Sequence, residues 1–281
     1  MRTFAGIPAE FASYDGAAIL LQSIPYDGTS TWGKGADMGF SAFLEAADNM
    51  ELYDIETDSE VYRKGIHILP VITENSSPEA VFSMVYKKTT SLLNTGKFLT
   101  FFGGEHAISI GVIKAFYEHY DHLTVLQLDA HADLRPSYDG TPYNHACALH
   151  DASLHTNLIQ LGIRSMDVEE LPYLNRGNCF FAHQLEGDWA EQVLKKITGN
   201  VYVTIDLDAF DPAIMPATGT PEPGGMQWNS TMRFLKRLFE EKEVKGFDIT
   251  ELAPIENIKA PNFLAAKLYY KMLSYKFKYH E

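Results

Sequence analysis

Leu123-Thr124-Val125-Leu126-Gln127-Leu128-Asp129-Ala130-His131-Ala132-Asp133 and Val201-Tyr202-Val203-Thr204-Ile205-Asp206-Leu207-Asp208 are built alike: each is a β-rich apolar run that ends in carboxylates. Apolar stretches this nearly continuous suit strands of a parallel sheet covered on both faces. In open α/β sheets the carboxyl ends of the strands form the ligand edge, so the two runs would aim their acids into one crevice. If the strands continue through the acids, alternation sends residues 129, 131 and 133 to one side, with Ala130 and Ala132 too small to obstruct the approach, and does the same for Asp206 and Asp208. Unpaired carboxylates at the edge of a core are strongly unfavourable, so the economical reading is that they surround cations.

Working outward, strand-like runs recur near 17–24, 66–72, 97–102, 123–128, 157–163, 178–182, 201–206 and 244–249. Helix-like stretches fall at Pro78 to Leu93, Ala107 to His119, Asp188 to Ile197 and Ser230 to Glu241, the last with Met232, Leu235 and Leu238 at helical spacing. This alternation predicts a single three-layer α/β/α domain over residues 1–281 with a mainly parallel, about eight-stranded sheet. The chain contains no internal repeat, low-complexity tract or linker. Its longest loops, around 134–150 and 209–229, directly follow the two acidic motifs, where loops at a ligand edge carry function.

Composition narrows the function. The 281 residues are 46% hydrophobic, enough for a large core, and the formal net charge is −14. That charge argues against a nucleic-acid partner and is compatible with a cationic substrate or bound divalent metal. Cys147 and Cys179 are too few for a disulfide framework or a Cys zinc site and suit a reducing compartment. No leader-like segment and no apolar span of about 18 residues stand out, so a cytoplasmic protein without a membrane partner is expected.

Asp129, His131, Asp133, Asp206 and Asp208 offer four carboxylates and one imidazole, and Phe101-Phe102-Gly103-Gly104-Glu105-His106 adds His106 at the end of another strand. Alone, His106 reads as a packed or helix-starting histidine; beside five other donors it reads as a ligand. Six donors are too many for one zinc, and an oxygen-dominated set with two imidazoles suits a pair of harder ions such as Mn²⁺. Ligand type leaves Fe²⁺, Co²⁺ and Ni²⁺ open. Two cations about 3.5–4 Å apart would share a bridging water and lower its pKa towards neutrality. Asp211, in Asp211-Pro212, reads instead as a turn cap.

Gly103-Gly104-Glu105-His106, Asp129-Ala130-His131-Ala132-Asp133 and Thr204-Ile205-Asp206-Leu207-Asp208-Ala209-Phe210-Asp211-Pro212, followed by Pro216-Ala217-Thr218-Gly219-Thr220-Pro221, resemble the signatures of the ureohydrolase (arginase/agmatinase) family. The similarity spans nearly the whole chain, including Ile24-Pro25-Tyr26-Asp27-Gly28-Thr29-Ser30 and Asp248-Ile249-Thr250-Glu251-Leu252-Ala253-Pro254. The resemblance implies a binuclear manganese hydrolase, with two Mn²⁺ ions per chain, in which metal-bound hydroxide attacks a guanidinium carbon and urea is released. It assigns His106, Asp129, His131, Asp133, Asp206 and Asp208 as metal ligands. His145 matches the family's proton-shuttling histidine, Glu251 the acid that pairs with the guanidinium, and Asp133 would also pass a proton to the leaving nitrogen. Family members commonly have Asp at Glu105, Ser at Ala107 and Gly at Ala146. Relatives assemble as trimers or hexamers, so a homo-oligomer is expected.

The loop Leu134-Arg135-Pro136-Ser137-Tyr138-Asp139-Gly140-Thr141-Pro142-Tyr143-Asn144 looks like the agmatinase branch rather than the Asn- and Ser-rich loop of arginases. A small cationic guanidino substrate is therefore expected, with agmatine converted to putrescine and urea; Asp139 or Glu222 is a candidate partner for its second amine, although either alone reads better as a solvated loop acid. Arg135 leaves the choice open. Pointing into the mouth it favours a carboxylate tail, as in guanidinobutyrate, and paired with a neighbouring acid it leaves agmatine favoured. Arginase, guanidinobutyrase and formiminoglutamase specificities stand as alternatives, as do a silent metal-binding family member and a single-zinc deacetylase on a similar sheet.

Overall fold

Strands buried on both faces need apolar residues at successive positions, and eight segments of the chain meet that demand. The computed structural model describes residues 2–279 and gathers these segments into one sheet: β1 (Ile19–Ile24), β2 (Ile66–Ile68), β3 (Phe98–Gly103), β4 (Thr124–Leu128), β5 (Asn157–Ile163), β6 (Cys179–Phe181), β7 (Asn200–Asp206) and β8 (Glu243–Thr250). Their order is β2-β1-β3-β8-β7-β4-β5-β6, and every pair is parallel, so the expected mainly parallel sheet is wholly so among the described residues. β2 is shorter than the run from 66 to 72. Leu69 still donates to the Leu21 carbonyl, but Pro70 has no N–H to continue the ladder.

Alternation along the strands divides the core in two. Leu126, Leu128, Val203, Ile205, Phe247 and Ile249 face the layer of α1 (Gly39–Ala47), α5 (Trp189–Lys196), α6 (Trp228–Glu241) and α7 (Ala260–Tyr279). Leu99, Phe101, Val125 and Tyr202 face α2 (Pro78–Leu93), α3 (Ile108–His119) and α4 (His150–His155). α2 begins where expected because the Ser77 side chain accepts from Ala80 N and Pro78 fills the first turn, where its missing N–H costs nothing. α1, α4 and α7 were not expected. α7 is buried around most of its circumference, from Ala265 and Leu268 to Tyr270, Met272 and Leu273, so it lacks the one-sided apolar period that marks a surface helix.

Register fixes where the site forms. Phe102 pairs with Ile249, Asp206 with Thr250 and Leu128 with Ile205, so the central strands β3, β8, β7 and β4 end at one level. They deliver His106, Glu251, Asp206 and Asp129 to a common edge. Simple strand alternation does not continue through the acids, contrary to expectation. β4 stops at Leu128, and the Asp129 carboxylate accepts from His131 N at 2.6 Å, bending the chain before it bridges again to Ser165 beyond β5. Asp133 then takes a left-handed φ of 54°. Asp208 likewise sits in the 3₁₀ turn Leu207–Ala209, its N–H donating to Asp206. Turn geometry, rather than pleat, converges these side chains.

Candidate metal centre

The six predicted ligands come together. His106, Asp129 and Asp206 place donor atoms within 4.8 Å of one another, and so do Asp129, His131 and Asp208. The groups overlap at Asp129, which is wholly buried. His106 Nδ1 lies 3.1 Å from oxygens of both Asp129 and Asp133 and 3.5 Å from Asp206 Oδ2, so Asp133 adjoins the first group. His131 Nδ1 is 2.9 Å from Asp208 Oδ2 and 3.7 Å from Asp129 Oδ1. Two overlapping donor sets of carboxylate and imidazole, with Asp129 common to both, would hold a pair of divalent cations and do not fit one four-coordinate zinc.

Electrostatics point the same way. Burial, and then repulsion from Asp208 and Asp129, push the Asp206 carboxyl well above the usual range. Burial and the Asp129 charge raise Asp133 to about 7. A bound cation relieves this repulsion and the cost of burying the charges.

A second layer holds the donors. Thr204 Oγ1 donates to Asp248 Oδ1 at 2.6 Å and lies 2.8 Å from His106 Nε2, while Tyr202 donates to the other Asp248 oxygen at 2.7 Å. With its proton committed to Asp248, the Thr204 hydroxyl accepts from Nε2–H, which leaves Nδ1 facing the acids, where it would serve as the donor atom to a bound cation. Gln127 Nε2 donates to Asp129 at 2.8 Å, and Gln160 Nε2 donates to the Gln127 carbonyl at 2.7 Å. Arg164 ties down the loop after β7 by donating to the carbonyls of Asp208 at 2.6 Å and Glu222 at 2.9 Å. Asp211 caps that loop as expected, accepting from the N–H groups of Ala213, Gly224 and Gly225. Thr204, Asp248, Arg164 and the two glutamines carried no role in the sequence reading, although a glutamine inside each of two buried strands is a legible signal of a polar task.

A cavity of about 340 Å³ opens above this cluster, lined by His106, His131, Asp133, Asp206 and Asp208 together with His145 and Glu251. Glu251 leaves β8 at a left-handed φ of 66°, and one of its oxygens accepts from His106 N at 2.7 Å. Burial and repulsion from Glu105 raise its carboxyl well above the usual range, so a cationic partner is strongly favoured there. Burial, and then the positive charges of His131 and His106, lower His145 to about 4. His145 is therefore neutral at pH 7. Cys147 stays out of the cavity, and burial pushes its thiol up to about 12, as befits a packing residue.

At the mouth, Arg135 lies 3.0 Å from Asp167 Oδ2 and 3.7 Å from Glu169 Oε2, with its guanidinium over the Tyr138 ring. It lines the cavity, but its charge is already answered. Glu222 reaches within 4.0 Å of His131 Nε2, and Asp139 does not line the cavity. No described helix is long and apolar enough to cross a membrane.

Known proteins match this arrangement along almost its whole length. A model of the Arginase family matches residues 17–274. N(1)-aminopropylagmatine ureohydrolase of Synechocystis sp. is 37% identical over 276 residues, covering 94% of this chain and 90% of that protein. Agmatinase of Bacillus subtilis is 32% identical, covering 86% of each. The crystal structure of agmatine ureohydrolase of Thermoplasma volcanium superposes with a TM-score of 0.86 at 30% identity, covering 95% of this chain and 92% of that one. The chain belongs to the arginase family and is a ureohydrolase of its agmatinase/arginase group.

Proposed function

We propose that the protein hydrolyses the guanidinium group of agmatine to putrescine and urea, using two Mn²⁺ ions held by His106, Asp129, His131, Asp133, Asp206 and Asp208. The observation that carries this reading is the pair of donor groups sharing Asp129 on the floor of a cavity whose wall holds Glu251 and His145. When bound, the two cations supply a water of lowered pKa as nucleophile, which a resonance-stabilised guanidinium requires.

The chain's residues do the rest. Glu251, with one oxygen tied to His106 N, offers the other to the guanidinium and fixes its plane over the floor. Asp133 takes the proton of the attacking water and passes it to the departing nitrogen, because its carboxyl lies on the cavity wall beside the cluster. His145 lies on the same wall; its ring takes a proton from solvent and passes it to the released amine, which leaves as the ammonium form. The ion pairs of Arg135 with Asp167 and Glu169 remove its charge as an anchor for a carboxylate, which favours a decarboxylated substrate over arginine or guanidinobutyrate.

N(1)-aminopropylagmatine is the second reading, favoured by the name of the 37% identical relative and by acidic groups at the mouth. Urea release by the Mn²⁺-loaded protein from agmatine, aminopropylagmatine, arginine, guanidinobutyrate and formiminoglutamate tests the assignment. Agmatine is expected to have the highest kcat/KM. Preference for aminopropylagmatine replaces agmatine with the second reading, preference for guanidinobutyrate overturns both, and no urea from any of them overturns the enzymatic proposal.

A further inference from the structure

The segment Asp27-Gly28-Thr29-Ser30 is bound to the site through Glu105, a wholly buried acid that is neither a proposed ligand nor in contact with the cavity. Glu105 accepts from Thr29 N at 2.6 Å, Thr29 Oγ1 at 2.6 Å and Ser30 N at 2.9 Å, while the Ser30 hydroxyl donates to Asp27. Gly104 makes this approach possible. A Cβ there would stand 2.0 Å from the Tyr26 carbonyl oxygen, where the exit of β3 runs against this segment through Gly104 N to Ile24 O and Glu105 N to Tyr26 O, each 2.8 Å.

Thr29 connects the clamp to His145. Its hydroxyl accepts from His145 N at 3.0 Å and lies 3.2 Å from the ring Nδ1. A hydroxyl has one proton, and here it is given to Glu105, so the ring contact requires Nδ1–H as donor. The neutral ring then carries its lone pair on Nε2. We infer that Glu105 and Thr29 are positioning residues for His145: the carboxylate orients the threonine hydroxyl, and the hydroxyl holds the imidazole in the Nδ1–H tautomer, leaving Nε2 to exchange protons with the reacting groups. This rests on the proton-handling role proposed for His145.

The test is a double-mutant cycle in the Mn²⁺-loaded enzyme with agmatine, reading kcat, KM and bound metal for Thr29→Val, Thr29→Ser, His145→Ala and the Thr29→Val/His145→Ala double variant. Thr29→Val is expected to lower kcat about tenfold with KM and metal content nearly unchanged, and Thr29→Ser to restore most of the rate. In the His145→Ala background Thr29→Val should change kcat by less than about twofold, because the hydroxyl then has no ring to hold. Thr29→Ala carries the same expectations if the valine variant does not fold. Wild-type kcat in the threonine variants beside a slow His145→Ala overturns this inference alone, as does an equal loss in both backgrounds or a loss of metal. Full turnover by His145→Ala overturns the role of His145, and this inference with it.

Discussion

Thr204→Val probes the layer beneath the metal centre. Valine replaces threonine almost isosterically, so packing between β4 and β8 is kept while one hydroxyl is removed. That hydroxyl accepts from His106 Nε2–H and donates to Asp248. Its loss strands an imidazole N–H and one carboxylate oxygen on residues that are 1% and 0% exposed. Leaving a buried polar group unpaired costs about 1–3 kcal/mol, so the two together should cost about 3 kcal/mol, with Tyr202 still holding the other Asp248 oxygen. At an unfolding entropy of about 2.1 cal/mol/K per residue, a chain of 281 residues should lose about 5 °C in Tm. Freed from its partner, His106 should also bind metal about 10–100-fold more weakly. Differential scanning fluorimetry and Mn²⁺ titration calorimetry measure the two effects. A Tm within about 1 °C of wild type, with unchanged Mn²⁺ affinity, would refute the assignment of Thr204 as the partner that orients His106.

Asp129 and Asp208 separate shared from private ligands. Because Asp129 belongs to both donor groups, Asp129→Ala should lose most of both ions on dialysis, whereas Asp208→Ala should keep about one per chain; elemental analysis decides, and two retained ions in Asp129→Ala contradict a shared ligand. Far from the site, Lys271 Nζ on α7 lies 2.6 Å from Glu56 Oε2 and 3.0 Å from Asp54 Oδ2. Burial opposes ionisation of Glu56, but hydrogen bonds from Lys271, Tyr275 and Lys236 prevail and bring it from 4.5 to about 2. A lowered carboxylate pKa stabilises the fold above the unfolded value, so this contribution should be complete above about pH 4.5 and disappear as pH falls through about 2. Lys271→Met should lower Tm at pH 7 and flatten its acid dependence; identical Tm-against-pH curves for the two proteins would show that the cluster carries no stability.

Most of the sheet was readable in the sequence because parallel strands covered on both faces must be apolar throughout, as in the runs ending at Leu128 and Ile205. The ligands were readable for a related reason: acids and histidines that close such runs need a partner. Helix α7 was hidden by its own burial, and α4, six residues long, offers too little periodicity. Convergence of the carboxylates depends on the turn at Asp129 and the left-handed backbone at Asp133 and Glu251, which no side-chain period encodes. The supporting residues were hidden for a different reason. Thr204 on β7 meets Asp248 on β8, and Glu105 beyond β3 meets Thr29 beyond β1, so their roles appear only once the strand order is known. Arg135 was ambiguous in sequence, and its contacts with Asp167 and Glu169 resolve where its charge goes.

Urea release from agmatine, followed as Mn²⁺ is returned stepwise to chelated protein, tests the proposed two-cation hydrolysis most directly. The arrangement predicts equal amounts of urea and putrescine, with turnover rising until about two ions are bound per chain. Full turnover at about one ion, or no urea from any guanidine with two bound, would contradict it.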